Sequence, residues 1–290
     1  MSGYRLQFRA LADLTKFPIA ALSTLSASTG YVVFCRKLNA GLLTVSLGVL
    51  LLAMGACALN QFQDRELDAR MERTRRRPIP AGTVTAAVAL VIAGFLILAG
   101  CLLLWLCHNR ETALLGLCAL ACYNVGYTCL KRVSAFAAVP GAVTGALPPA
   151  MGWTAAGGSP VDPHILALCF FFFVWQVPHF WLLLLAHGQD YQRAGLPSLT
   201  SLFSARQVSS LTFIWMLTAF SSSLLLSIYR LTVSPWINYG LLACGLWLAW
   251  KASGLLRRGN SRTAHAPPAF RSINLSVLSV MALLVLDAVL

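Results

Sequence analysis

The chain holds only nine acidic residues in 290, and four of them fall between positions 64 and 72. They lie in the run from Asn60 to Pro78, where Asp64, Glu66, Asp68 and Glu72 are followed and interleaved by Arg65, Arg70, Arg73, Arg75, Arg76 and Arg77. Asn60, Asp64 and Asp68 are four apart, so on a helix each step turns about 40° and climbs roughly 6 Å. The three side chains therefore share one face. Two carboxylates at that separation can hold a divalent cation, and an arginine cluster behind them can take the phosphate groups that the cation neutralises. Charged runs that follow an apolar span are usually solvated loops that set topology. The carboxylate spacing argues here for more, namely chemistry on a phosphorylated substrate at a bilayer surface.

Two further polar segments carry fewer signals. Tyr123 to Arg132 reads as a helix end that delivers Lys131 and Arg132, although cations at a helix C-terminus also answer the helix dipole. His187 to Pro197 reads as a polar loop after an aromatic span, with Asp190 as the only acid between Asp162 and Asp287. A lone aspartate in a loop is usually a cap or turn residue. Asp190 gains interest from sharing a membrane depth and face with Asp64 and Asp68. His179 follows Pro178 inside an apolar span. Ionisable residues there are rare and often functional, and the competing reading is an imidazole bonded to a carbonyl freed by Pro178.

The elements that position these residues are membrane helices. The hydrophobic fraction is 58% and the charged fraction 11%, against about 25% charged in soluble domains. Apolar runs long enough to cross a bilayer fall near 18–35, 41–62, 84–106, 112–129, 135–153, 164–186, 208–229, 235–250 and 270–289. The expectation is an all-α polytopic protein of about nine spans, with residues 1–290 forming one domain. Of 22 lysines and arginines, only Arg36, Lys37, Arg110 and Arg230 fall on the side opposite the N-terminus. The positive-inside rule then sets the N-terminus in the cytoplasm and the C-terminus across the membrane. The same rule and anionic membrane lipids account for the net charge of +13 without nucleic acid. The first 17 residues lack a signal-peptide core, which fits a bacterial plasma (inner) membrane. The nine cysteines lie in or beside apolar spans with no CxxC pair, which indicates packing rather than a disulfide framework.

Taken together, these segments resemble the UbiA-type intramembrane prenyltransferases, and within them the heme O synthase (protoheme IX farnesyltransferase) family. The resemblance rests on NQxxDxxxDxxMxRTxxRP from Asn60 to Pro78, YxxLKR ending at Arg132, GAxxGAxPPxxGW from Gly141 to Trp153, WQxPHFW from Trp175 to Trp181, and DYxRAGxP from Asp190 to Pro197. It spans most of the chain. It implies helices around a central cavity with a cytoplasmic cap. It also implies transfer of the farnesyl group of farnesyl diphosphate to a vinyl group of heme b, with addition of water, using Mg²⁺. Carried over by position, Asp64 and Asp68 hold metal with Asn60 assisting, and Asp190 falls in a second acidic motif. Arg73, Arg77, Lys131 and Arg132 grip diphosphate, and His179, Trp153 and Trp181 fall to the heme side. The second motif offers Asp190 alone where relatives carry several acids. A downstream heme-modifying enzyme is a further implied partner. Two other readings stay open on the residues: a prenyltransferase with a quinone-precursor acceptor, and a secondary transporter. Against the transporter, the acids lie at span ends rather than at the midplane.

Overall fold

The computed structural model describes residues 2–256 and 262–290, and all regular structure among them is helical. Arg257 and Arg258, counted above with the cytoplasmic cations, lie outside the described residues. The chain opens with α1 (Ser2–Leu14), α2 (Phe17–Cys35), α3 (Ala40–Gln63) and the short α4 (Arg65–Arg70). It continues with α5 (Ala86–Cys107) and α6 (Arg110–Ala121), a π-helical stretch at Cys122–Tyr127, and the single turn α7 (Thr128–Leu130). Then come α8 (Ala138–Gly141), α9 (Val143–Ala155), the long α10 (Pro163–Arg193) and the single turn α11 (Leu199–Leu202). Helices α12 (Ala205–Ile228), α13 (Pro235–Ser253) and α14 (Arg262–Val289) complete the bundle.

Eight helices among the described residues are long and apolar enough to cross a membrane. By length and composition a ninth is not confirmed among the described residues. The segment expected at 135–153 folds instead as α8 and the thirteen-residue α9, with Pro148 and Pro149 inside the latter. Apolar residues remain exposed around the outside of the bundle, for example Val91, Phe95, Leu106 and Trp236, as a lipid-facing surface requires.

Between membrane helices there is little hydrophobic drive, so small residues that let backbones touch decide the packing. Helix α9 depends on this. A Cβ at Gly152 would stand 1.7 Å from the Ala27 carbonyl oxygen of α2, and one at Gly30 would stand 2.1 Å from the Pro149 carbonyl oxygen. Both clashes are with backbone, which cannot give way. Gly152→Ala is therefore expected to separate α2 from α9 and to destabilise the protein by at least about 2 kcal/mol, in the range of severe overpacking. A detergent thermal melt with an unshifted midpoint would contradict this contact.

One end of the bundle carries a cap. Gln61 on α3 donates to the carbonyls of Asp13 (2.6 Å) and Leu14 (3.1 Å), which ties α1 down. Met71, Ala194 and Leu196 pack together with Leu67 and Tyr191 over the same end. Helix α10 runs on past its apolar section to Arg193 before Gly195 turns the chain at φ 74°. The stretch from His187 is thus helix rather than loop up to Arg193, because the apolar faces of Tyr191, Ala194 and Leu196 are buried in the cap.

Candidate active site

A cavity of about 400 Å³ runs down the bundle from the cap. One face of α3 lines it at Val49, Leu52, Ala53, Ala56, Cys57, Asn60 and Asp64, the helical spacing of a single stripe. From Val49 to Asp64 the stripe is roughly 22 Å long at the helical rise. Its capped end is polar, with Lys16, Asn60, Asp64, Asp68, Arg73, Arg77 and Lys131 in the wall. Its deep end is apolar and aromatic, with Met151, Phe172, Trp175 and Met281.

At the polar end the two carboxylates are nearly sealed, Asp64 at 4% and Asp68 at 1% exposure. Buried charge must be paired, and both are. Arg77 Nη1 donates to both oxygens of Asp68, at 2.7 and 2.8 Å. Lys131 Nζ contacts Asp64 Oδ2, and Arg132 Nη2 reaches Asp64 Oδ1 at 3.3 Å while donating to the Gln63 carbonyl at 2.8 Å. Arg73 lines the mouth and is exposed.

Asn60 is the hub of this end. Its Nδ2 donates to Asp64 Oδ2 (2.9 Å) and to Thr128 Oγ1 (3.0 Å). Its Oδ1 accepts from Lys16 Nζ (2.8 Å) and from the Tyr123 hydroxyl (3.2 Å). Both N–H groups and both lone pairs are thus in use, so Asn60 holds Asp64 and Lys16 in place. The π-helical stretch at Cys122–Tyr127 delivers its partners. Such insertions are frequent at functional sites. Thr128 Oγ1 donates back to the Tyr123 carbonyl at 2.9 Å, and Asn124 Nδ2 donates to the Ala56 carbonyl at 3.0 Å. The rings of Tyr123 and Tyr127 stack at 6.1 Å, Tyr127 stacks on Phe180 at 5.6 Å, and Lys131 Nζ lies 5.6 Å from the Tyr127 ring centre.

Lys16 was not anticipated as a site residue. The sequence shows it only as one cation before a span, and its partner Asn60 is 44 residues away. It stands in the left-handed backbone region at φ 47°, at the start of α2. That conformation is uncommon outside glycine and swings the side chain into the cavity wall. Burial pushes its ammonium down to about 8, with Arg77 and Lys131 adding to the fall. Below that pH Lys16 is a cation, and above it the positive wall is weakened.

Three expectations from the sequence are corrected here. Asp190 is not brought to Asp64 and Asp68: it is half-buried on the last turn of α10 and absent from the cavity wall, where its neighbour Tyr191 stands instead. Among the described residues no three acidic, histidine or cysteine side chains converge as a metal cage. Trp153 is packed in the core, edge-on to Phe34 at 4.8 Å and stacked on His164 at 6.3 Å. Trp181 is likewise buried, edge-on to Trp215 at 5.8 Å. Neither indole lines the cavity, because each faces a neighbouring helix rather than the interior. Arg132 supports Asp64 from outside the wall. His179 does line the cavity, and its partner is a side chain, Asn274, rather than a freed carbonyl.

The paired carboxylates, cation wall and membrane-embedded cavity meet a matching sequence signature. The model of the UbiA prenyltransferase family matches residues 17–274. The chain belongs to the UbiA prenyltransferase family. The enzyme is 35% identical over 279 residues to a protoheme IX farnesyltransferase of Oleidesulfovibrio alaskensis, covering 96% of each chain. It is 41% identical over 222 residues to a protoheme IX farnesyltransferase of Geobacter sulfurreducens, covering 76% of this chain and 82% of the relative. Among solved structures, a digeranylgeranylglyceryl phosphate synthase superposes with a TM-score of 0.78 at 14% identity, over 97% of this chain and 98% of that one. A UbiA homolog from Archaeoglobus fulgidus bound to GPP and Mg²⁺ gives 0.67 at 14% identity, over 95% and 99%. At those identities the prenyltransferase shares a fold with both.

Proposed function

We propose that this prenyltransferase joins the farnesyl group of farnesyl diphosphate to a vinyl group of heme b, with addition of water, to give heme O, diphosphate and a proton. The carrying observation is the pairing of each buried carboxylate with a cation of the chain's own: Arg77 on Asp68, Lys131 and Arg132 on Asp64. With the carboxylates of Asp64 and Asp68 turned to a divalent ion, Arg77, Lys131 and Arg132 would be free to take the phosphate oxygens. The donor set suits Mg²⁺, which takes one or two carboxylates and fills its remaining positions from substrate phosphates and water. Asp64 and Asp68 would hold it, and it would supply charge neutralisation of the leaving diphosphate.

The chain's residues do the rest. Arg73, Arg77, Lys131 and Lys16 hold the diphosphate's negative charge both before and while the bond from C1 to oxygen breaks. The Tyr123, Tyr127 and Phe180 rings next to that position present π faces to the allylic cation. The apolar cavity excludes bulk water and accepts the isoprenoid tail. The vinyl electrons form the new bond to C1, and the cation left beside the porphyrin takes one water oxygen and releases its proton. The names of the relatives support heme as acceptor, and the aromatic deep end supports a flat, apolar partner. The asymmetry of lysine and arginine supports a bacterial inner membrane with the N-terminus in the cytoplasm. The test is pigment analysis of membranes expressing the chain. Conversion of heme b to a more hydrophobic heme is expected, and unchanged heme b with farnesyl diphosphate supplied would refute the acceptor.

Lys16 gives a pH prediction. For the free enzyme, kcat/KM for farnesyl diphosphate should fall as pH rises through about 8, because kcat/KM reports groups of the unliganded protein. Lys16→Arg, charged at every working pH, should remove that limb. A profile still falling near 8 in Lys16→Arg would assign it to another group.

A further inference from the structure

At the deep end of the cavity, away from the charged cap, one ionisable side chain stands among aromatic rings. His179 lies one residue after Pro178 within α10. Its ring is 5.1 Å from Trp175, 4.9 Å from Phe270 and 5.8 Å from Phe180, centre to centre. Its Nδ1 is 2.8 Å from Asn274 Oδ1 on α14. A carbonyl-type oxygen only accepts, so Nδ1 carries the proton and donates. In a neutral imidazole the lone pair is then on Nε2. Nε2 has no hydrogen-bond partner among the described residues, and it is not among the polar atoms sealed without one. His179 is half-buried and lines the cavity, so the lone pair opens onto the cavity.

A histidine kept for packing would spend both nitrogens on the protein or bury them. Here a neighbouring helix fixes one nitrogen and leaves the other as a free σ-donor in an apolar chamber. A ring nitrogen that ligates metal shows the same arrangement, with the opposite N–H anchored on an oxygen to set tautomer and direction. Imidazole is also a standard axial ligand of haem iron. The aromatic contacts from Tyr127 to Phe180 and from Phe180 to His179 lead from the Lys131 ammonium to this imidazole. A porphyrin held through its iron at His179 would therefore extend its edge toward the diphosphate end.

Resting on the heme reading above, we propose that His179 Nε2 is an axial ligand of the acceptor's iron and that Asn274 is its positioning residue. Ligation anchors the porphyrin, which otherwise has only flat apolar contacts to orient it. Trp175, itself tied by Nε1 to the Ile273 carbonyl at 2.8 Å, keeps α10 and α14 in register around the pair.

The test compares ferric heme b with metal-free protoporphyrin IX on the full chain in detergent, because the two share a shape and differ in iron. The wild type should bind heme b more tightly than protoporphyrin IX, with an imidazole-type Soret band. His179→Ala should lose that band and bind both porphyrins alike, and added imidazole should restore the band. Asn274→Leu should keep the ligand but lower heme affinity about 10- to 100-fold, the usual range for removing a partner of a metal ligand, and leave protoporphyrin affinity unchanged. Binding of farnesyl diphosphate by each variant reports that it is folded, and His179→Gln serves where His179→Ala is not. An unchanged Soret band and an unchanged heme-to-protoporphyrin ratio in a folded His179 variant would overturn the ligand and leave the acceptor reading standing. A wild type that takes up neither porphyrin, yet releases diphosphate with another acceptor, would overturn both.

Discussion

Asp68→Asn is expected to lower kcat/KM for farnesyl transfer by at least about 10³-fold, close to 4 kcal/mol of transition-state stabilisation. The substitution keeps shape and removes charge. A neutral amide cannot balance a divalent ion, and it leaves Arg77 without the two hydrogen bonds at 2.7 and 2.8 Å. The loss has two sources, since breaking a buried pair also costs stability. Exchanging the charges separates them. In Asp68→Arg combined with Arg77→Asp the pair can form again, so the melting midpoint should recover part of what either single change loses. Activity should not recover, because the carboxylate is then on the wrong side of the cavity mouth. Wild-type turnover by Asp68→Asn, or undiminished turnover in excess EDTA, would remove the metal role of this position. Asp64→Asn should behave alike, with Lys131 and Arg132 as the partners left unpaired.

Lys131→Ala is expected to raise the apparent KM for farnesyl diphosphate by about 10²-fold and to leave heme affinity within a factor of two or so. A charge-assisted contact to phosphate is made in ground and transition states alike, so its loss falls mainly on KM. The structure gives Lys131 two duties, pairing with Asp64 and lying over the Tyr127 ring. Lys131→Arg should recover charge without the compact ammonium geometry, and so only part of the affinity. Arg77→Lys should also be impaired, since an ammonium gives up the planar fork of donors that a guanidinium presents to phosphate oxygens. If these variants changed heme affinity alone, the cluster would belong to the acceptor and not to the diphosphate.

The two aspartates were legible in the sequence because local periodicity carries them. Four-residue spacing puts side chains on one helical face whatever the tertiary fold, and α3 with α4 obeys it as far as Asp68. Lys16 was not legible, because its value comes from a backbone conformation and from partners 44 and 107 residues away. The sequence misplaces Asp190 for a related reason. Glycine and polar residues from His187 suggest a loop, yet burial of Tyr191, Ala194 and Leu196 against Met71 keeps α10 helical and turns Asp190 off the cavity. Hydropathy also locates Trp153 and Trp181 inside spans without saying which way a ring points. It also offers 135–153 as a ninth span, where the structure has α8 and the thirteen-residue, proline-bearing α9, held to α2 by backbone contact through Gly30 and Gly152; hydropathy averaged along a run does not see where a helix is interrupted.

The π-helical stretch at Cys122–Tyr127 works as a phase shift. Inserting one residue into a helix rotates everything after it by about 100° relative to an unbroken helix. Tyr127 and Lys131 meet the cavity after the insertion, while Ala119 and Leu120 meet it before. Removing a single residue between Cys122 and Gly126 would leave the apolar character of the span nearly unchanged. It would nonetheless carry Lys131 almost a third of a turn around the cylinder, away from Asp64, and swing Tyr127 off Phe180. The membrane would accept such a protein as readily as before, but its catalytic cation would face lipid.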